Sequence, residues 1–227
     1  MPLYQTRGNS LNLAIFDLDN TLLRGDSDYA FGQFLAEQGL VDPKAHEQDN
    51  QRYYMQYQNG QLDIMEFLAF ALAPLARADR TLLDQLRERF LVERIRPMIT
   101  PAARALVAQH RSRGDALVIV TATNRFVTEP IAREFDIPHL LATDPEERDG
   151  RFTGKVQGTP CYREGKVKRL EAWATGRDVD VDGAWFYSDS HNDLPLLSRV
   201  AHPVAVNPDA QLLAHARQHG WRVLDLS

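Results

Sequence analysis

The chain has 227 residues, 44% of them hydrophobic and 25% charged, with a formal net charge of -5. That length suits one large domain or a domain with a sizeable insertion, and the balance is that of a globular protein. An acidic balance without a Lys/Arg cluster argues against a nucleic-acid backbone binder, and the single cysteine, Cys161, excludes an internal disulfide and fits a reducing compartment.

The opening residues, MPLYQTRGNSLN, lack the apolar stretch of a signal peptide, so a cytoplasmic protein is expected. Leu13 to Phe16 reads as a short buried strand that runs into DLDNT. From about Ser27 to Phe90 the apolar spacing turns helical, with Phe31, Phe34 and Leu35 on one stripe. Pro43, Gly60 and Pro74 divide this region into three or four helices. Its longest apolar run, FLAFALAPLA from Phe67, is too short to span a bilayer.

The pattern then changes. Thr100-Pro101 is a helix start, with threonine as N-cap and proline in the first turn. That helix runs to Gly114 and precedes ALVIV, a β-branched strand. A helix begins near Asn124, and EERDGRFTG reads as a hairpin turning at Asp-Gly. Helix resumes at Gly165, AWFYS from Ala184 is a strand, Asn192 opens a short helix, and HPVAV is a further strand. A last helix and WRVLDL complete the chain. Strands alternating with helices predict an α/β fold, a Rossmann-like doubly wound parallel sheet covered on both faces, interrupted after its first strand by an all-helical insertion.

Open α/β sheets place their sites at the carboxyl ends of strands. Those ends carry Asp17, Asp19 and Thr21 after the first strand, Thr121, Thr123 and Asn124 after ALVIV, and Ser188, Asp189, Asn192 and Asp193 after AWFY. The stretch EGKVKRL adds lysines before the last of these strands. Carboxylates gathered in one crevice need a counter-charge, and a divalent cation supplies it.

DLDNT, VIVT, GK and DSHND, in this order, resemble the four signature motifs of the haloacid dehalogenase-like phosphohydrolases. The resemblance covers essentially the whole chain and points to the phosphoserine-phosphatase-like subgroup, whose helical cap lies where this insertion lies. It implies a core of residues 1-24 and 95-227 and a specificity cap of residues 25-94. It implies Asp17 as nucleophile, forming an aspartyl-phosphate, and Asp19 as general acid and then base. Mg2+ would be held by Asp17, the backbone carbonyl of Asp19, and Asp189, with Asp193 orienting the metal's waters. Thr121 and Lys166 would bind the transferring phosphoryl oxygens, supported by Asn192. Lys168 competes with Lys166, but a helix turns about 100° per residue and the family's lysine directly follows the glycine.

Each of these residues also has a structural reading. Thr121 also suits a helix N-cap. Cys161 reads as an inert small residue, His191 as a solvated loop residue or one touching the substrate's edge, and Phe31, Phe34, Tyr53, Tyr54, Tyr57 and Phe67 mainly as cap packing.

In phosphoserine phosphatases an acidic residue after the first motif holds the substrate ammonium, and Asp26 stands at the matching place. Those enzymes also pair the substrate carboxylate with a cap arginine nine residues after the leucine of a Gly-x-Leu turn. Here Gly60-Gln61-Leu62 matches the turn and Ala71 stands at the arginine's place, so Arg52 or Arg77 would have to substitute. The expected substrate is therefore a small amine-bearing phosphate ester, best matched by histidinol phosphate, with phosphoserine as the alternative. A phosphotransferase to a second alcohol and a non-catalytic binding module are the readings from other classes. Dinucleotide binding is disfavoured because no Gly-x-Gly-x-x-Gly follows the first strand. The expected partner is a small molecule, with neither nucleic acid nor membrane, for a monomer or homodimer.

Overall fold

The structure is a computed structural model and describes residues 11-226. Strand β1 (Leu11–Phe16) leads into four helices, α1 (Ser27–Glu37), α2 (Pro43–Gln58), α3 (Ile64–Arg77) and α4 (Arg80–Phe90). A π-helical turn, Leu91–Ile95, and the short α5 (Arg96–Met98) return the chain to α6 (Pro101–Ser112). There follow β2 (Ala116–Asn124), α7 (Arg125–Glu134), β3 (His139–Arg148), β4 (Arg151–Gln157), α8 (Glu164–Ala174) and β5 (Val179–Ser188). A 3-10 turn at His191–Asp193, α9 (Leu194–Leu197), β6 (His202–Val206), α10 (Ala210–His219) and β7 (Arg222–Leu224) complete it. Among the described residues no helix is long and apolar enough to cross a membrane.

The seven strands form one sheet in the order β4-β3-β2-β1-β5-β6-β7, parallel except for β4. The order runs outward from β1 in both directions, which makes the carboxyl end of β1 the topological switch point. Alternation along β1 explains its burial: Leu13 and Ile15 enter one core, Ala14 and Phe16 the other. A strand covered on both faces reads as a continuous apolar run, as this one does.

Local chemistry sets the ends of the elements. Asp26, Asp42, Asp63 and Asp79 each accept amide hydrogen bonds from the first turn of α1 to α4. Thr100 caps α6 through Ala103 N–H, as its Thr-Pro sequence predicts. The β3-β4 hairpin turns at Asp149 (φ 50°) and Gly150 (φ 75°), the paired left-handed residues of a type I′ turn.

Two expectations change and one is extended. Pro74 does not end a helix: α3 runs through it to Arg77, and the break comes where Asp79 caps α4. The expected hairpin is present, and its first strand, β3, also pairs with β2 and extends the main sheet. Thr121 lies inside β2, and the cap of α7 is Asn124, whose Oδ1 accepts from Val127 N–H.

Candidate active site

Parallel register brings the strand ends together. Phe16 lies beside Ile119 and Tyr187, so Asp17, Thr121 and Ser188 emerge along one edge. Asp17 N–H donates to the Tyr187 carbonyl at 2.9 Å, which extends β1 by one residue and fixes the start of the loop. Helix α8 delivers Lys166 from its first turn. Gly165 permits this approach, because a Cβ there would lie 2.0 Å from the Pro160 carbonyl oxygen.

Lys166 is 2% exposed, and its Nζ donates to Asp17 Oδ1 at 2.9 Å and to Asp193 Oδ2 at 2.7 Å. Ser188 Oγ donates to the same Asp193 oxygen at 2.7 Å. Burial disfavours the ammonium, but the carboxylates of Asp17 and Asp193 outweigh it and hold Lys166 charged well above its ordinary range. Burial pushes the Asp17 carboxyl up, against the pull of Lys166. Asp193 is pushed up to about 6 by burial, opposed by Lys166. Lys168 is exposed, which leaves Lys166 as the lysine of this cluster.

Asp19 is held at both oxygens. Ser27 N–H donates to Oδ1 at 2.6 Å, and Thr123 Oγ1 donates to Oδ2 at 2.7 Å. Burial and the charge of Asp26 push its carboxyl up to about 6. Thr121, 1% exposed, accepts Thr123 N–H at 3.2 Å and lines the same pocket. Asp189 accepts from Thr21 Oγ1 at 3.3 Å and is pushed far above the ordinary carboxylate range by burial and by the Asp17 charge near it.

Among the described residues no three Asp, Glu, His or Cys side chains form a metal cage. A cation here would have Asp17 and Asp189 as its two carboxylate donors and would take the rest from main-chain oxygen and water. Such an all-oxygen, water-rich set is the habit of Mg2+, and the crowded Asp17-Asp189 pair is the negative charge that such an ion neutralises.

Two residues occupy places the sequence does not foretell. Asn192 does not line the pocket beside Asp17. Its Oδ1 accepts from Tyr162 Oη, Arg163 Nε and Arg163 Nη2, and its Nδ2 donates to the Tyr57 carbonyl and to Ser190 Oγ. Every polar atom of that side chain is thus taken by protein, which ties α2 to the core. His191 is not a solvated loop residue: its Nδ1 meets Asp209 Oδ2 at 2.7 Å, with its side chain 11% exposed. Cys161 is inert, buried, donating its S–H to the Leu141 carbonyl, its thiol pushed up to about 12 by burial.

The pocket over Asp17 is closed by the helices. Tyr29, Tyr53, Tyr54, Tyr57 and Phe67 form its wall with Tyr162 of the core, so four of the aromatics expected mainly to pack the cap also face the site. Phe31 and Phe34 do pack, both against Phe90. Asp26 lines the pocket and caps α1, its Oδ1 accepting from the amides of Asp28 and Tyr29 at 2.9 Å each. Burial pushes Asp26 up to about 6, and burial with the Asp19 charge pushes Asp28 up to about 7. Neither Arg52 nor Arg77 lines the pocket; both are exposed, and Arg52 stacks on Tyr53 and pairs with Asp49.

The bond from Thr123 to Asp19 escapes a motif reading, although its two-residue spacing from Thr121 places both on one face of β2. Arg163 and Asp209 carry no local signal at all.

The haloacid dehalogenase-like hydrolase family matches residues 14-198. A histidinol-phosphatase from Neisseria meningitidis serogroup C (strain 8013) is 47% identical over 218 residues, 94% of this chain and 98% of that protein. A phosphoserine phosphatase from Mycobacterium tuberculosis (strain ATCC 25618 / H37Rv) is 32% identical over 215 residues, 93% of this chain and 70% of that protein. The crystal structure of a protein of unknown function from Bordetella pertussis Tohama I has a TM-score of 0.90 at 44% identity, covering 96% of this chain and 100% of that one. A phosphoserine phosphatase holding an analogue of its phospho-aspartyl intermediate shares the fold, with a TM-score of 0.72 at 16% identity over 96% of this chain and 95% of that one. With its four motifs gathered at the switch point of a Rossmann-like sheet, the chain belongs to the haloacid dehalogenase-like hydrolases and is a phosphoric monoester hydrolase.

Proposed function

We propose that the chain hydrolyses histidinol phosphate through a phosphorylated Asp17. The observation that carries this reading is the pocket's lining. It sets two carboxylates, Asp26 and Asp28, beside an aromatic wall, and among the described residues its one lysine or arginine, Lys166, is already bound to Asp17 and Asp193. A phosphoserine carboxylate finds no partner in such a lining and two charges that repel it. Ala71 fits the same reading, since it stands where phosphoserine phosphatases carry their arginine. An ammonium meets Asp26, whose Oδ1 is taken by the α1 amides and whose Oδ2 is left for it. The relative at 47% identity bears the name of this activity.

In the first step an Asp17 carboxylate oxygen attacks phosphorus and the ester P–O bond breaks. Asp19 donates its proton to the departing alkoxide, and its pKa of about 6 keeps a protonated fraction near neutrality. Asp19 then takes a proton from the water that attacks phosphorus, which breaks the bond to Asp17 and releases phosphate. Ser27 N–H and Thr123 Oγ1 hold Asp19 still through both transfers. Lys166 and Thr121 stabilise the charge on the transferring oxygens, and Asp193, itself held by Ser188, aims Lys166. Mg2+ on Asp17, the Asp19 carbonyl and Asp189 would neutralise phosphoryl charge and offset the repulsion between incoming phosphate and carboxylates. Helices α1 to α4, within residues 25-94, serve as the cap that reads the leaving group.

Steady-state kinetics on histidinol phosphate and phosphoserine tests the assignment. The expected result is a larger kcat/KM for histidinol phosphate; a larger value for phosphoserine overturns it.

A further inference from the structure

Resting on the histidinol phosphate reading, we infer that Asp28 is the residue that selects the substrate's ring, accepting a hydrogen bond from an imidazole N–H where the pocket meets the small cavity lined by Asn50 and Phe67.

Besides Asp17, three carboxylates enter the pocket between the end of β1 and the first turn of α1, and they differ in what already binds them. Asp19 has a donor on each oxygen. Asp26 accepts two amides at 2.9 Å each. Asp28 has one donor among the described residues, Asn124 Nδ2 at 3.3 Å, and Asn124 also caps α7. Among the described residues the pocket's one lysine or arginine, Lys166, is engaged by Asp17 and Asp193. A half-buried carboxylate with one long hydrogen bond gains most from a donor that a ligand brings.

The surroundings say what kind of donor. Asp28 lines the pocket together with Tyr29, Asn50, Tyr53 and Phe67, so a group reaching it lies against aromatic faces. Asp28, Asn50 and Phe67 also line a small cavity behind the pocket, with His46, Phe70 and Ala71. His46 is 9% exposed, and its buried Nε2 has no hydrogen-bond partner, so this end of the site is not polar-saturated by the protein itself. Asn50 Nδ2 donates to the Tyr29 carbonyl at 3.2 Å, and the donor on Asp28 is Asn124. A flat ring with an N–H on its edge satisfies both features, the apolar walls and the under-bonded carboxylate. A primary ammonium satisfies only the second, and Asp26 already serves it. A carboxylate-bearing ester meets repulsion at both.

The test compares two amino-alcohol phosphates that differ in the ring alone, histidinol phosphate and phenylalaninol phosphate, on the wild-type enzyme with Mg2+ and on Asp28→Asn. For the wild type, kcat/KM is expected to favour histidinol phosphate by about ten- to a hundred-fold, the range of one charge-assisted hydrogen bond. In Asp28→Asn that ratio falls at least about ten-fold, chiefly through KM for histidinol phosphate. Equal treatment of the two esters by the wild type overturns the inference without recourse to any variant. An unchanged ratio in Asp28→Asn also overturns it, because a merely structural or electrostatic role weakens both substrates alike. Absence of histidinol phosphate turnover by the wild type is a separate outcome, which removes the functional reading and this inference with it.

Discussion

Arg163 donates from Nη2 to the carbonyl oxygen of Gly60 at 2.6 Å, which fastens the turn between α2 and α3 to the residue that precedes α8. The same guanidinium holds Asn192 Oδ1, and Asn192 reaches back to the Tyr57 carbonyl at 3.1 Å. Gly60 fits because it has no side chain: at φ +68° a Cβ would sit 2.9 Å from His191 Nε2 and 3.2 Å from Arg163 Nη2. The turn between α2 and α3 is thus pinned beside Lys166, three residues further along α8.

If this contact holds the cap closed over bound substrate, its loss weakens binding more than chemistry. Arg163→Ala should raise KM about ten-fold, with a smaller change in kcat, as expected for one charge-assisted hydrogen bond. Arg163 has φ +48°, so Arg163→Gly relieves backbone strain and should be more stable than Arg163→Ala by about 1 kcal/mol. Both variants should show the same KM. An unchanged KM in either, measured beside thermal midpoints, removes the latch role.

Variants in the buried cluster around Lys166 tell the proposed nucleophile from its scaffold. Asp17→Asn should lower turnover by at least about a thousand-fold, as loss of a nucleophile does, without destabilising the fold. It removes a buried charge that Asp189 crowds, and leaves Lys166 its bond to Asp193. Lys166→Met should lose both activity and stability, by about 3–5 kcal/mol, because it strands two buried carboxylates at once. Denaturant melts beside activity assays check the pair; retained turnover in Asp17→Asn would remove it as nucleophile.

How much of this was legible in the sequence follows from the range of the forces involved. The α/β core announces itself because ALVIV and AIF are buried on both faces and need apolar residues at every position. Asp17, Asp19, Lys166 and Asp193 stand at strand or helix ends, where chain order and topology fix proximity. The hydrogen bonds that cross the fold were not legible. Nothing near Arg163 signals a partner 103 residues away, and nothing near His191 signals Asp209. Asn192 looked like a phosphate ligand from its motif, yet tertiary packing engages every polar atom it has. Asp28 sits in plain view in GDSD, but which of two neighbouring carboxylates caps a helix and which is left under-bonded depends on the entry angle of α1.

Metal dependence tests the Asp17-Asp189 pair. EDTA should abolish turnover and Mg2+ restore it, and Mg2+ should raise the thermal midpoint because it binds the folded pair and not the unfolded chain. Beryllofluoride with Mg2+ should compete with substrate by resembling the phosphoryl group on Asp17. Full activity after exhaustive chelation contradicts the cation assignment.

The last prediction concerns stability, away from the chemistry. His110, buried beneath β1 and β5, bridges Asp115 Oδ2 at 2.7 Å from Nδ1 and Tyr187 Oη at 2.8 Å from Nε2. A neutral imidazole completes this network, with Nδ1–H donating to the carboxylate and Nε2 accepting from the phenol. Burial lowers the His110 pKa below 6.5, and Asp115 only partly offsets it. Above pH 6.5 neither the folded nor the unfolded state carries the proton, so the contribution is fully present. As pH falls through 6.5 toward the lower folded value, the unfolded chain binds the extra proton, and stability declines by up to about 1.4 kcal/mol per pH unit. His110→Phe leaves Asp115 and Tyr187 without this partner and should cost about 2–4 kcal/mol at pH 8. The variant also loses the titration, so its deficit relative to wild type should shrink between pH 7 and pH 5. The raised carboxyls of Asp19, Asp26 and Asp28 act in the opposite sense but are common to both proteins and cancel in the difference. Urea unfolding of both proteins across that range decides the matter, and parallel profiles would show that His110 is not held neutral by the fold.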